Sequence, residues 1–349
     1  MDLYGLILAG GIGARLWPLT SAVRPKALLS FDKTGVSLLQ RTISRLSGII
    51  PHENIYIIAG DQHEGSINPE GISRDNIILE PFGRGTLSCI GYASLFIRRR
   101  DPCCIIATMP GEQLIRDQPE FQRILAEAAR IASNGDCVVT IGIKPKFPAI
   151  RFGYIQIGEK YNTQAFRTKG FTEKPDKKTA ESFISSGEYL WNSGIYILTV
   201  SYLFEMMKDF ANDVYENLLY IDNAIGTSEE RDITKRLYHD IRNISIDYAV
   251  MEKAENMLAI PADIDWNDMG TWTEVAEIWD TDSNNNSYFG NYFGIDTSGC
   301  IVHSSNKLVA TIGVKDLIIV ESPEGLLVCS KECADDVKVL VQKITSDPK

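Results

Sequence analysis

With 349 residues, 44% hydrophobic and 23% charged, the chain has room for one large α/β domain plus a smaller one, and no stretch has a disordered composition. A net charge of −11 argues against a nucleic-acid partner, since such proteins carry a basic excess, but leaves open a phosphate ligand held by a few local cations. The apolar run near the N-terminus is far too short to cross a bilayer, and seven cysteines without CxxC or metal-site spacing fit free thiols in a reducing cytoplasm, with no membrane partner.

The first strand-like run ends at Gly10-Gly11-Ile12-Gly13. Three glycines in four residues expose backbone N–H groups with no Cβ to hold a ligand away, and such a turn forms an anion-binding concavity. Two cations follow, Arg15 and Lys26, so Leu6–Lys26 predicts a polyphosphate site. The competing reading is an ordinary strand–helix turn with surface charges. A dinucleotide fingerprint would need a third glycine where Leu16 stands, and no P-loop of the G-x-x-x-x-G-K type exists.

Up to about residue 145, strand-like runs at 3–9, 54–59, 76–79, 104–108 and 137–143 alternate with helical spacing at 37–47, 86–100 and 118–133. That alternation predicts a Rossmann-like, mostly parallel sheet covered on both faces, with ligands at the carboxyl ends of the strands. Gly10–Gly13, Glu80-Pro81 and the loop from Pro110 to Glu112 then share one rim. The middle of the chain is more mixed, with helices expected at 176–187, through 201–239 and around 246–255. Near 281–287 the composition turns polar and reads as a linker. Short β runs then recur at 300–303, 308–312, 317–320 and 326–329, before a closing helix at 332–344. The expected organisation is a large α/β domain over 1–285 and a β-helix-like module over 288–349. Open strand edges on that module would want covering, which suggests a homodimer or packing against the first domain.

Seven motifs in fixed order sharpen this picture: GGIGARLWPLT, PKALL, EPFGRGT, FTEKPD, LWNSGIYIL, SIDYAVMEKA and WNDMGTW. In order and content they resemble the mannose-1-phosphate guanylyltransferases, a family of sugar-nucleotide pyrophosphorylases, over essentially the whole chain. The resemblance implies the nucleotide-diphospho-sugar transferase fold. It also implies the reaction of GTP with a sugar 1-phosphate, in which the sugar phosphate attacks the α-phosphorus in line and pyrophosphate leaves. By resemblance, Leu8, Ala9, Gly10, Gly11, Gly13, Glu80, Arg84, Gly85 and Pro110 would contact the nucleotide. Arg15 and Lys26 would be catalytic, and Gly153, Glu173, Lys174 and Asn192 would hold the sugar phosphate. Glu112 and Asp268 would hold Mg²⁺.

The residue chemistry agrees with that assignment. The attacking phosphate is already an anion, so catalysis needs two anions brought together and the leaving pyrophosphate neutralised, which suits Arg15 and Lys26. A carboxylate at Glu80 can accept both N1–H and N2–H₂ of guanine, whereas uracil and thymine offer one donor flanked by carbonyls. Trp191 reads as core, and the four histidines have no ligand spacing.

Four positions depart from the family pattern: Ala14, Ala27, Gly85 and Glu112, the last in Pro-Gly-Glu-Gln where PADH is usual. They leave room for another sugar 1-phosphate such as a heptose, or for a nucleotide-sugar-binding regulatory paralogue. A nucleotide-binding redox domain is disfavoured. The chain ends before the sugar isomerase domain that some members carry, so a single activity is expected.

Overall fold

The computed structural model describes residues 1–346. Nine strands form the central sheet: β1 (Leu3–Leu8), β2 (Ile55–Gly60), β3 (Ile77–Glu80), β4 (Ile105–Pro110), β5 (Val138–Ile143), β6 (Tyr154–Lys160), β7 (Phe166–Thr172), β8 (Tyr189–Thr199) and β9 (Met257–Ala262). Their order is β3-β2-β1-β4-β8-β5-β9-β7-β6. The first four are mutually parallel, whereas β8 runs antiparallel to both β4 and β5, which makes the sheet mixed. In register, Leu8 of β1 lies opposite both Ile58 of β2 and Pro110 of β4, and Gly60 lies opposite Glu80. The carboxyl ends therefore finish at one level, and the loops that leave them share a rim.

Side chains of β1 and of Ala9 just after it alternate across the sheet: Tyr4 and Leu6 join the core on one face, Ile7 and Ala9 the core on the other. The Ile7 face packs under α1 (Leu38–Leu46) and α3 (Gln118–Ala132). The Leu6 face packs under α2 (Gly85–Arg100) and three later helices, α5 (Val200–Phe210), α6 (Asn212–Ala224) and α7 (Glu230–Asp240), with α4 (Lys177–Ser186) lying before β8. The helical spacing at 201–239 thus resolves into three helices. The breaks come at Ala211, with φ −149°, and after Ala224, where Gly226 takes φ +86°. Around 246–255 there is one short helix, α8 (Ile246–Ala249), followed by a 3₁₀ turn at Met251–Lys253.

The polar segment predicted as a linker is a folded corner. The Asp282 carboxylate accepts the Asn284 and Asn286 backbone N–H groups at 2.9 Å each, and the buried Asn286 amide donates to the Thr297 carbonyl at 2.9 Å. These local bonds pair Asp280–Thr281 with Ser287–Tyr288, so the second sheet begins before the polar run. Polar composition misleads here because Asn and Asp side chains stand in for backbone partners in a tight turn. The strands that follow are β10 (Ser287–Phe289), β11 (Tyr292–Ile295), β12 (Ile301–Ser304), β13 (Val309–Ile312), β14 (Leu317–Ser322) and β15 (Gly325–Ser330). β10, β12 and β14 stack in parallel, as do β11 and β13, which is the coil predicted from the spacing.

A third apolar cluster joins this coil to the opening segment of the chain. It combines Leu16, Leu19, Leu29 and Phe31 with Trp272 and Trp279, and with Ile301, Ile318 and Val320. The Ser322 hydroxyl donates to the Pro18 carbonyl at 2.8 Å, and Trp272 Nε1 donates to the Trp17 carbonyl at 3.2 Å. Among the described residues no helix is long and apolar enough to cross a membrane.

Candidate active site

The glycine turn ends β1 and swings into a 3₁₀ turn at Ala14–Leu16. Gly13 caps it with φ +71° and ψ +42°, and the Gly13 carbonyl accepts the Thr20 hydroxyl at 2.9 Å. Each glycine faces a different functional side chain. A Cβ on Gly10 would lie 3.2 Å from Glu80 Oε1, one on Gly11 3.1 Å from Glu112 Oε2, and one on Gly13 only 2.7 Å from the Lys26 Cβ. Within four residues the turn therefore touches the side chains expected to read the base, hold the metal and neutralise phosphate. Gly13→Ala would combine a disfavoured positive φ with a clash against Lys26. We predict at least a 100-fold loss of turnover (roughly the effect of removing one preorganised donor). A pyrophosphate assay beside a melting curve checks this; wild-type turnover would refute it.

Lys26 is 3% exposed, its stem packed beneath the turn. Its ammonium donates to the Asp268 carbonyl at 2.7 Å and lies 3.4 Å from Glu112 Oε1. Burial pulls its pKa down, but Glu112, Asp268 and Glu274 outweigh that and hold it above the ordinary lysine value, so it is a permanent cation. Glu112 is pushed up by burial, pulled back by Lys26 and pushed up again by Asp268. Its carrier loop is tightly placed: Gly111 N–H donates to the Leu8 carbonyl at 2.8 Å, and a Cβ there would meet Ile7 at 2.9 Å. Gly111 thus brings the loop against β1. Buried Arg45 of α1 points its guanidinium at the Gln113 carbonyl, with its two terminal nitrogens at 3.4 and 3.5 Å. The Gln113 amide in turn donates to the Ser193 carbonyl at 2.6 Å.

At the other end of the turn, Glu80 is 5% exposed and its Oε2 accepts the Tyr238 hydroxyl of α7 at 2.7 Å. Burial pushes the Glu80 carboxyl up to about 7, and the Tyr238 hydrogen bond pulls the other way. Arg84 turns aside. Its guanidinium donates to the His239 carbonyl at 2.6 Å, tying the head of α2 to the end of α7. Gly85 has φ +83°, and a Cβ on it would lie 2.2 Å from the Ile244 carbonyl oxygen, so only glycine fits.

The sugar-side residues also converge. A Cβ on Gly153 would meet Glu173 Oε2 at 2.4 Å and the Asn192 Cβ at 3.3 Å. Lys174 pairs with Glu173 and holds φ +48°. The Asn192 amide donates to the Tyr196 hydroxyl at 2.8 Å and to Asp247 Oδ1 at 3.0 Å, and the Tyr196 hydroxyl donates to the same oxygen at 2.5 Å. Trp191 is buried against Phe147, Phe152 and Trp266, as core. Arg15 is the outlier: its Nε lies 3.1 Å from Asp335 Oδ1 of the C-terminal segment, and its side chain is 38% exposed. So exposed a pair contributes about 0–1 kcal/mol. A cavity of about 480 Å³ between α6 and α7, lined by Tyr220, Ile233 and Leu237, contains none of these groups.

The nucleotidyl transferase family pattern matches residues 4–285, and the MannoseP isomerase/GMP-like beta-helix domain matches residues 290–344. The mannose-1-phosphate guanylyltransferase of Salmonella montevideo is 34% identical over 97% of this chain and 73% of its own length. The Klebsiella pneumoniae enzyme of the same name is 35% identical over the same shares. The chain belongs to the mannose-1-phosphate guanylyltransferase family. The crystal structure of a mannose-1-phosphate geranyltransferase from Thermus thermophilus superimposes with a TM-score of 0.88 at 29% identity, covering 99% of this chain and 100% of that one. The fold is thus that of a nucleotidyltransferase with a β-helix module, and the guanylyltransferase is an enzyme.

Two of the four family departures have structural reasons. Gly85 is dictated by Ile244, and Ala27 is wholly buried in the Ile7-side core. Three residues of this guanylyltransferase escaped the sequence reading. Asp247 lies inside the SIDYAVMEKA motif, which was a usable signal. Tyr238 lies in no motif, and Arg151, which pairs with Glu274, stands two residues before Gly153.

Proposed function

We propose that this enzyme transfers GMP from GTP to mannose 1-phosphate, giving GDP-mannose and pyrophosphate. The observation that carries the reading is the glycine turn itself, with Glu80, Glu112 and Lys26 each set against one of its glycines. Guanine would meet the Glu80 carboxylate, and the triphosphate would lie along the backbone N–H groups of Leu8–Gly13 with Pro110 opposite. Lys26 has three N–H donors, one bonded to the Asp268 carbonyl and one leaning toward Glu112, which leaves the third for a phosphate oxygen. Gly153, Glu173, Lys174 and Asn192 would place the sugar so that its phosphate oxygen forms the new bond to the α-phosphorus. The bond from that phosphorus to the bridging oxygen breaks, and the departing pyrophosphate carries the electron pair away beside Lys26. Arg15 would leave Asp335 to join it.

Glu112 Oε2 is buried without a hydrogen-bond partner beside Asp268, a hard-oxygen pair that fits Mg²⁺. When bound there, the ion would supply positive charge against the phosphate oxygens. Among the described residues no group of three or more His, Cys, Asp or Glu side chains could hold a metal, and magnesium in phosphate sites takes one or two carboxylates plus substrate oxygens. Exposed Phe293, Ile295, Leu308 and Ile312 on the β-helix surface support the expected homodimer, which sedimentation would reveal.

The test is pyrophosphate release from GTP, Mg²⁺ and a panel of sugar 1-phosphates, including mannose and a heptose. Mannose 1-phosphate is expected to give the highest kcat/KM. GTP binding without release from any member of the panel would overturn the reading.

A further inference from the structure

The hydroxyl of Tyr238 has no packing purpose. The side chain is 0% exposed, set edge-on to Tyr92 at 5.5 Å between ring centroids, and a phenylalanine would fill the same space. A buried phenol is costly unless paired, and here its partner is Glu80 Oε2, 158 residues away in sequence. The other carboxyl oxygen, Oε1, points toward Gly10. One oxygen is thus held from behind while the other faces the glycine turn, and the plane of the carboxyl is set. Reading guanine requires such a plane, because N1–H and N2–H₂ are parallel donors that must meet two coplanar acceptors.

We infer that Tyr238 is the positioning residue that fixes the Glu80 carboxylate for guanine readout, and so sets the discrimination of guanine from purines that lack the 2-amino group. This rests on the reading of Glu80 as the guanine acceptor given above. The groups facing Glu80 are Tyr238 from α7, Cys89 and Tyr92 from α2, Gly60 from β2 and Gly10 from the turn, and none of these is a cation. The Tyr238 hydrogen bond is therefore what favours the charged carboxylate against burial. Without it the group would turn more freely and hold its proton to higher pH.

The experiment compares kcat/KM for GTP and ITP, which lacks the 2-amino group, in wild type, Tyr238→Phe, Glu80→Gln and the double variant. Tyr238→Phe is expected to lose about tenfold of the GTP-over-ITP preference, the worth of one hydrogen bond to a charged group. Its pH profile for GTP should also move upward. The double variant should match Glu80→Gln alone, because Tyr238 acts only through that carboxyl. A Tyr238→Phe enzyme with wild-type preference and profile, while Glu80→Gln loses preference, overturns this inference and leaves the Glu80 reading standing. Unchanged preference in Glu80→Gln overturns both. Should Tyr238→Phe not fold, the double variant carries no buried carboxylate and still decides: a loss beyond Glu80→Gln refutes the inference.

Discussion

Lys26→Ala is expected to remove pyrophosphate release almost completely while the fold survives. The ammonium is a buried cation at the glycine turn, anchored to the Asp268 carbonyl and held protonated by three carboxylates, so it is already in place before substrate binds. Preorganised charge needs no reorganisation when the leaving pyrophosphate develops negative charge, which is why such groups matter most in the transition state. A loss of about 10³-fold or more in kcat is expected by analogy with the removal of a single oxyanion donor. The fold should tolerate the change because Glu112 can take up a proton once its partner is gone, burial already pushing it that way. Lys26→Met, which keeps the stem beneath Gly13, separates loss of charge from loss of packing. Near-normal turnover in a folded Lys26→Ala or Lys26→Met protein would sink the assignment.

Glu80→Gln is the second large effect, and it should appear in specificity, pH dependence and stability together. A glutamine offers one acceptor and one donor where guanine presents two donors, so preference for GTP over UTP and dTTP should fall steeply. Sites that leave a buried polar group mispaired discriminate by about 10⁴-fold, and most of that margin is at stake. In the wild type the carboxyl, at about 7, must be ionised to accept both donors, so kcat/KM for GTP should rise through neutral pH and level off above it. The glutamine variant should lack that rise. For stability the sign is opposite: the folded pKa is raised above the ordinary 4.5, so the contribution of the protonated form is complete below 4.5 and disappears as pH rises through about 7. Above that pH the glutamine variant should be more stable, by on the order of 2 kcal/mol. Melting temperatures at pH 6 and pH 8 check the stability claim. An unchanged nucleotide preference would refute the role.

Much of this was legible from sequence. Alternating apolar runs and helical spacings predicted the β1-to-β5 layer because strand and helix periods are local properties of the chain. The glycine turn announced itself because only glycines give a backbone so bare, and the ordered motifs marked Glu80, Lys26, Asn192 and Asp268, while Glu112 stood out as a departure from the family pattern after β4. Other features arose only when distant segments met. The antiparallel β8 wedged between β4 and β5 depends on long-range pairing, which no local period encodes. Breaks within 201–239 were hidden by a continuous helical pattern, and the corner at 282–286 by side chains that bond their own backbone.

The same division holds at the site. Sequence alone determined which side chains could serve: a bare turn for phosphates, two cations near it and carboxylates at two strand ends. Tertiary structure decided what each faces. It set Lys26 under Gly13, sent Arg84 to His239 and Arg15 to Asp335, buried Ala27, and supplied Tyr238 and Asp247 from helices far along the chain. The physical reason is that a residue's chemistry travels with the residue, whereas its pKa, its orientation and its partner belong to the neighbours that folding gives it.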